Sequence, residues 1–272
     1  MTNRSDGPGD YTRFEHLAVT VDAHGIATVT LNRPDKKNAV GVRMHAELSL
    51  IFRELERDSA VRVVVLTGAG TAFSAGGDLE WMQEMIDVPS IFEQTIRESK
   101  EIVMSMLDCE KPLIAKINGH AIGLGATLAL FCDVTFATTK ARIGDPHVGV
   151  GLVAADGGAI IWPQLVGYAR AKEFLLTGDP LSAEQAARIG LINHAVAPEL
   201  LDQTVEAFAL RLARGAQMSI RWTKASINIG LKQLAISILD SALAYEAVTN
   251  LSADHQEAVR AFREGRPPVF AR

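Results

Sequence analysis

The chain has 272 residues, of which 48% are hydrophobic and 22% charged, enough apolar material to bury a substantial core. With 27 basic against 32 acidic residues the formal net charge is −5, so no overall positive field favours a phosphate backbone or an anionic bilayer, and nucleic acid and membrane are excluded as first partners. Cys109 and Cys132 are the two cysteines and show no CxxC spacing, which argues against a disulfide framework or a cysteine zinc site and fits a reducing cytoplasm.

The opening "MTNRSDGPGDY" has no apolar h-region and carries acidic residues. It reads as a flexible polar tail over residues 1–12 rather than a signal or transit peptide. "FEHLAVTVD" and "GIATVTLN" predict two strands joined by a turn at His24-Gly25. A helix follows from about Gly41 to Arg57, with Leu48, Ile51, Phe52 and Leu55 on one face. "VRVVVLTG" is continuous in apolar residues, as a strand covered on both sides should be. After a glycine-rich loop come helical segments to about Asp108, the strand "LIAKIN", a second glycine-rich turn, a helix ending near Phe131, and the strand "CDVTFAT". The longest apolar run in this region, "AIGLGATLALFC", is too short to span a bilayer.

From Gly158 onward the pattern is mostly helical. Leu201, Val205, Phe208 and Leu212 form one apolar stripe, and Leu234, Ile238, Ala242 and Tyr245 another. "GRPPVF" ends the last helix, because two prolines cannot continue it. The chain thus reads as an α/β core over 13–197 and a helical region over 198–272, with no Pro/Ser linker to separate them.

Two strand-to-helix turns are rich in glycine: "LTGAGTAFSAGGDLEWM", Leu66 to Met82, and "NGHAIGLGATLAL", Asn118 to Leu130. In the first, Phe73 stands where a dinucleotide fingerprint needs its third glycine, and no Gly-Lys-Ser/Thr occurs, so nicotinamide and P-loop readings have little support. Taken singly, such glycines need only permit a tight turn. Together with "LNRPDKKNAV", "DPHVGVGLVAADGG", "LTGDPLSAEQAARIGLINHAV" and "AFREGRPPVF", in that order along nearly the whole chain, the sequence resembles the enoyl-CoA hydratase/isomerase family, the crotonase superfamily.

The resemblance implies a crotonase-like ββα spiral core with a helical C-terminal trimerisation region, assembled as a homotrimer or a dimer of trimers. It implies an acyl-CoA substrate and no separate cofactor or metal, since coenzyme A enters as part of the thioester. The two backbone amides that grip the thioester oxygen in that family fall on Gly77 and Leu124. Donors preorganised in this way are worth ~3 kcal/mol each in a barrier, and at Leu124 the helix dipole adds to the N–H. CoA contacts would come from Lys36, Asn38 and Ala39 and from Ala75, Asp78 and Leu79, and the C-terminal Phe262 and Arg266 resemble the family's helix that can reach an adjacent subunit's CoA site. Lys36 and Lys37 also read as a solvated surface pair. Trp81, Met82, Met85 and Ile86 either wall the acyl pocket or pack in the core.

A hydratase of this family uses two glutamates, and here Thr127 and His147 stand at their positions. Thr127 can bind a water or a hydroxyl but is no base. The remaining candidates are His147, Asp145 and Asp156. His147 reads as a proton shuttle or as a structural histidine, Asp145 as a pocket carboxylate or a turn residue, and Asp156 as an acid/base or an N-cap for the helix near Gly158. The expected function is an acyl-CoA enzyme, hydratase-like or isomerase-like, that stabilises a thioester enolate. Isomerisation survives the missing glutamates better, because one base suffices. The alternative is a catalytically silent acyl-CoA-binding protein of the same fold.

Overall fold

The computed structural model describes residues 9–270. Residues 1–8 of the expected tail lie outside the described residues; from Gly9 on the chain is tied down, not loose. The Gly9 amide and the Tyr11 hydroxyl both donate to Asp58 Oδ2 at 2.7 Å, and Tyr11 is buried.

The first half alternates as its periodicity predicts. Strands β1 (Leu17–Val21) and β2 (Ile26–Leu31) form an antiparallel pair. They are followed by helix α1 (Val42–Arg57), strand β3 (Val63–Gly68), helices α2 (Leu79–Asp87) and α3 (Pro89–Asp108), and strand β4 (Leu113–Ile117). Then come the short strand β5 (Ala121–Ile122), helix α4 (Leu124–Leu130), and strands β6 (Val134–Thr138) and β7 (Arg142–Gly144). The second half holds α5 (Gly158–Thr177), β8 (Leu181–Ser182), α6 (Ala183–Arg188), β9 (His194–Val196), α7 (Leu201–Ala213), α8 (Gln217–Asn250) and α9 (Ala253–Glu264).

The main sheet has the order β1-β2-β3-β4-β6-β9, parallel from β2 onward. Every residue of β3 is buried, because the sheet is covered on both faces and successive side chains point to opposite ones. Val64 and Leu66 join the core made with Leu48, Ile51, Phe52 and Leu55 of α1, whereas Val63 and Val65 pack with Leu201, Val205, Ala209 and Ala213 of α7. Helix α7 therefore lies on the sheet itself.

The stripe predicted on α8 is displaced. Tyr245 is 66% exposed, and the buried positions are Lys224, Asn228, Ala235, Leu239, Ala242, Leu243, Glu246 and Asn250. By length and composition α8 could cross a membrane, with mean hydropathy 1.2 in its best window, of which 28% is buried. Its buried stripe includes Glu246 and Asn250, and the Asn250 side-chain amide donates to the Met85 carbonyl at 3.2 Å.

Three small connections set the geometry of the site. Strand β5 pairs with β7 in parallel, placing Ile122 opposite Gly144, and β7 pairs with β8 antiparallel. Ser74 of the first glycine-rich turn bridges to Ala121, and the Ile122 amide donates to the Ser74 carbonyl at 3.0 Å. The Gly123 amide donates to the Gly144 carbonyl at 2.9 Å. The first turn, the second turn and the segment after β7 are thus joined side by side.

Candidate active site

A cavity of about 680 Å³ opens where these three segments meet. Gly77 reaches it from the first turn, Leu124 from the second, and His147 and Asp156 from the segment after β7. Gly76 and Gly123 bring the two turns together: a Cβ on Gly76 would lie 2.9 Å from the Ile122 carbonyl oxygen, and Gly123 has φ 53° and ψ −126°, a conformation for glycine alone. Leu124 is the first residue of α4, so its amide has no carbonyl one turn back to bond. Val40 takes the neighbouring groups of the first turn, with its amide donating to Gly76 O and its carbonyl accepting from Asp78 N. Among the described residues, neither the Gly77 nor the Leu124 amide has a hydrogen-bond partner.

Beside these amides stands a cluster of titratable groups. His147 Nδ1 is bonded to Asp145 Oδ1, and His147 Nε2 lies 3.5 Å from Asp156 Oδ2. The Thr127 hydroxyl donates to Asp156 Oδ1 at 3.0 Å. Thr127 therefore reaches the site through Asp156 and does not line the cavity, and Asp145 stands behind His147. Gly157, not Asp156, occupies the N-cap position of α5, although the Gly158 amide at the start of that helix donates to the Asp156 carboxylate. The glycine pair of "ADGG" has a steric cause at its second member, because a Cβ on Gly158 would collide with Asp145 Oδ2. His147 is held further by α9, where His255 Nδ1 lies 2.7 Å from the carbonyl of Val150 in the same loop.

Burial opposes the charged form of His147, but the carboxylates of Asp145 and Asp156 outweigh it and raise its pKa well above the ordinary histidine value. Burial also raises Asp156, and the charge of His147 pulls against it. The donor atoms of Asp145, His147 and Asp156 lie within 4.8 Å of one another, a set that could also hold a metal ion.

Glu246 of α8 is a fourth member that the sequence reading missed. It lines the cavity, its carboxyl group makes no hydrogen bond among the described residues, and it is pushed up to about 8 by burial, with His147 lowering it and Asp156 and Asp145 raising it. The available signal was a lone carboxylate on the face of α8 that carries Leu239, Ala242 and Leu243. Between its ordinary value of 4.5 and about 8 the unfolded chain releases this proton while the folded chain keeps it, so stability falls as pH rises through that window. Glu246→Gln is expected to remove this part of the decline, so that urea denaturation shows the variant gaining on the parent at pH 8 but not at pH 4. An equal difference at both pH values would contradict a buried, protonated Glu246.

The expected CoA-side residues divide. Lys36, Ala39, Ala75, Asp78, Leu79 and Phe262 line the cavity. Asp78 also caps α2 by accepting from Glu80 N at 3.0 Å, and it pairs with Arg33 at 3.0 Å. Asn38 does not reach the cavity. Its side chain is fully buried, accepting from Arg33 N and donating to the carbonyls of Ala69 and Ala72, so it holds the two loops together. Within the chain Arg266 forms ion pairs with Glu257 and Glu264. Trp81, Met82 and Met85 line the cavity; Ile86 does not.

The sequence matches the enoyl-CoA hydratase/isomerase family over residues 22–272. It is 35% identical to 1,2-epoxyphenylacetyl-CoA isomerase of Escherichia coli, over 90% of this chain and 95% of that one. Among solved structures, an enoyl-CoA hydratase/isomerase from Mycobacterium paratuberculosis superimposes with a TM-score of 0.87 at 37% identity, covering 90% of this chain and 97% of that one. A β-diketone hydrolase from the cyanobacterium Anabaena, bound to (S)-3-oxocyclohexyl acetic acid, superimposes with a TM-score of 0.83 at 28% identity, covering 92% and 98%.

Proposed function

The chain belongs to the enoyl-CoA hydratase/isomerase family, and on that premise we propose that it stabilises the enolate of an acyl-CoA thioester between the amides of Gly77 and Leu124. The observation that carries this reading is that two unbonded amides from separate loops line one cavity beside a proton-transfer cluster. The thioester oxygen accepts from both N–H groups as it gains charge, and the helix dipole of α4 adds to the second. Asp156 is the base that takes a proton from the carbon next to the carbonyl. His147, charged near neutrality, is the acid that delivers its proton to the γ-carbon, with Asp145 fixing its ring, and the proton taken by Asp156 then passes to His147 across the 3.5 Å between them, which restores the pair. Glu246, neutral near pH 7 because burial pushes it up to about 8, adds a hydrogen-bond donor beside them. Moving one proton between carbons needs no second glutamate, so double-bond isomerisation fits this set.

A second reading is favoured by one observation: the buried carboxylate of Asp156, lining the cavity 3.5 Å from His147, is placed to take a proton from water. Water would add to a ketone in a β-dicarbonyl substrate, its OH bonding to the carbonyl carbon while the C–C bond to the α-carbon breaks. The electron pair enters the enolate, and the second proton of water ends on that carbon. The similarity to the β-diketone hydrolase supports this reading.

A panel of 2-enoyl-, 3-enoyl- and β-ketoacyl-CoA thioesters and cyclic β-diketones decides between them. Positional isomerisation of the 3-enoyl thioesters supports the first reading, and ring opening of a diketone the second. Tight thioester binding with no turnover of any member would leave a catalytically silent acyl-CoA-binding protein. Trp222, Ile229, Ile236 and Val248 of α8 are exposed and apolar, which supports assembly with further copies of the chain, as a homotrimer or a dimer of trimers. Both cysteines are free and buried, in keeping with the cytoplasm.

A further inference from the structure

Three carboxyl groups and one histidine meet beside the two amides. His147 Nδ1 is taken by Asp145, which leaves Nε2 for a ligand, 3.5 Å from Asp156 Oδ2. A carboxylate behind the ring is how proteins hold a metal-ligating histidine and set its tautomer. Asp156 is held in the same way, its other oxygen accepting from the Thr127 hydroxyl at 3.0 Å. An ion about 2.1 Å from each atom would span the 3.5 Å gap at close to the tetrahedral angle.

Glu246 points to a ligand independently. It is 9% exposed, its carboxyl oxygens have no hydrogen-bond partner among the described residues, and they keep surface open to the cavity. It is close enough for the charges of His147 and Asp156 to act on it. A buried carboxyl is ordinarily hydrogen-bonded, paired or bound to metal, and no group of the chain bonds this one. One imidazole nitrogen with carboxylate oxygens suits zinc and its first-row neighbours better than magnesium or calcium, which take oxygen alone. We propose that a divalent transition-metal ion of the zinc type binds on His147 Nε2, Asp156 Oδ2 and the Glu246 carboxylate, with Asp145 and Thr127 holding the first two in place. The ion occupies the nitrogen on which His147 carries its proton, so it is a reversible inhibitor; this inhibition, unlike the binding, rests on the acid/base assignment of His147.

Calorimetric titration of the tag-free chain with zinc chloride is expected to show one tight ion per chain. His147→Gln, Asp156→Asn and Glu246→Gln should each weaken it about 100-fold or more, and Thr127→Val, which touches no ion, about 10–100-fold. Cobalt chloride in place of zinc should develop a visible absorption that Glu246→Gln lacks, while thermal melts without metal establish that the variants fold. No tight ion, or one whose affinity is the same in all three ligand variants, as exposed His24 and His194 would give, overturns the site. On whichever thioester or diketone the chain turns over, saturating zinc should abolish turnover and a chelator restore it. An ion bound through these three ligands that leaves turnover intact would overturn the inhibition, and with it the acid/base role of His147, but not the ion site.

Discussion

His147→Gln is expected to lower turnover ~10²–10⁴-fold, the range for loss of a positioned acid/base, while the Kd for a CoA thioester changes by no more than severalfold. Glutamine can keep a hydrogen bond toward Asp145 but cannot carry a proton through the reaction. The pH profile should follow the same group. The carboxylates raise the pKa of His147 above the ordinary histidine value, so the charged acid is present at neutral pH and is lost as pH rises through that higher value. The parent enzyme should therefore lose activity on an alkaline limb lying above the usual histidine range, and that limb should be missing from the residual activity of the variant. Asp156→Asn should cost a similar factor, and the double variant little more than either alone, because the two side chains act as a pair 3.5 Å apart. Unchanged turnover in His147→Gln, or costs that multiply in the double variant, would remove the pair from the mechanism.

The second large effect concerns an atom that ordinary side-chain substitution leaves in place. Leu124 opens α4, and the first position of a helix tolerates proline because its N–H has no intrahelical partner. Leu124→Pro therefore deletes one donor with little cost to the helix and should lower kcat ~10²–10³-fold, as loss of a single oxyanion donor does. Leu124→Ala keeps the amide and should stay within severalfold of the parent. Steady-state kinetics on the same thioester, with thermal melts to establish that both variants fold, makes the comparison. Equal activity of the proline and alanine variants would mean that the amide does no catalytic work.

Much of the fold was legible in local patterns. The run Val63–Gly68, apolar through Leu66, is a central strand, and the stripe Leu48, Ile51, Phe52 and Leu55 is the face of α1 that covers it. The glycine turns and the segment around His147 are short stretches of chain that the sequence singles out, and they line the cavity. What escaped depends on contacts between distant segments. Asn38 looked like a ligand contact, but the carbonyls of Ala69 and Ala72, which consume its amide, become its neighbours only once the loops fold together. The pairing of Arg266 with Glu257 forms only once the chain after α9 turns back along it. Glu246 sits on a helix whose predicted stripe ends at its neighbour Tyr245, so its buried carboxyl was not among the candidates. The pairing of His45 with Glu98 and Ser99 needs α1 to lie on α3, which no periodicity encodes.

A crystal structure with a non-reactive acyl-CoA thioether or ketone analogue bound tests the whole account most directly. The ketone analogue should place its carbonyl oxygen ~2.7–3.1 Å from both the Gly77 and Leu124 nitrogens, with the adjacent carbon facing His147 and Asp156. An analogue bound with its carbonyl away from those amides, or amides turned to bond other protein atoms, would contradict it.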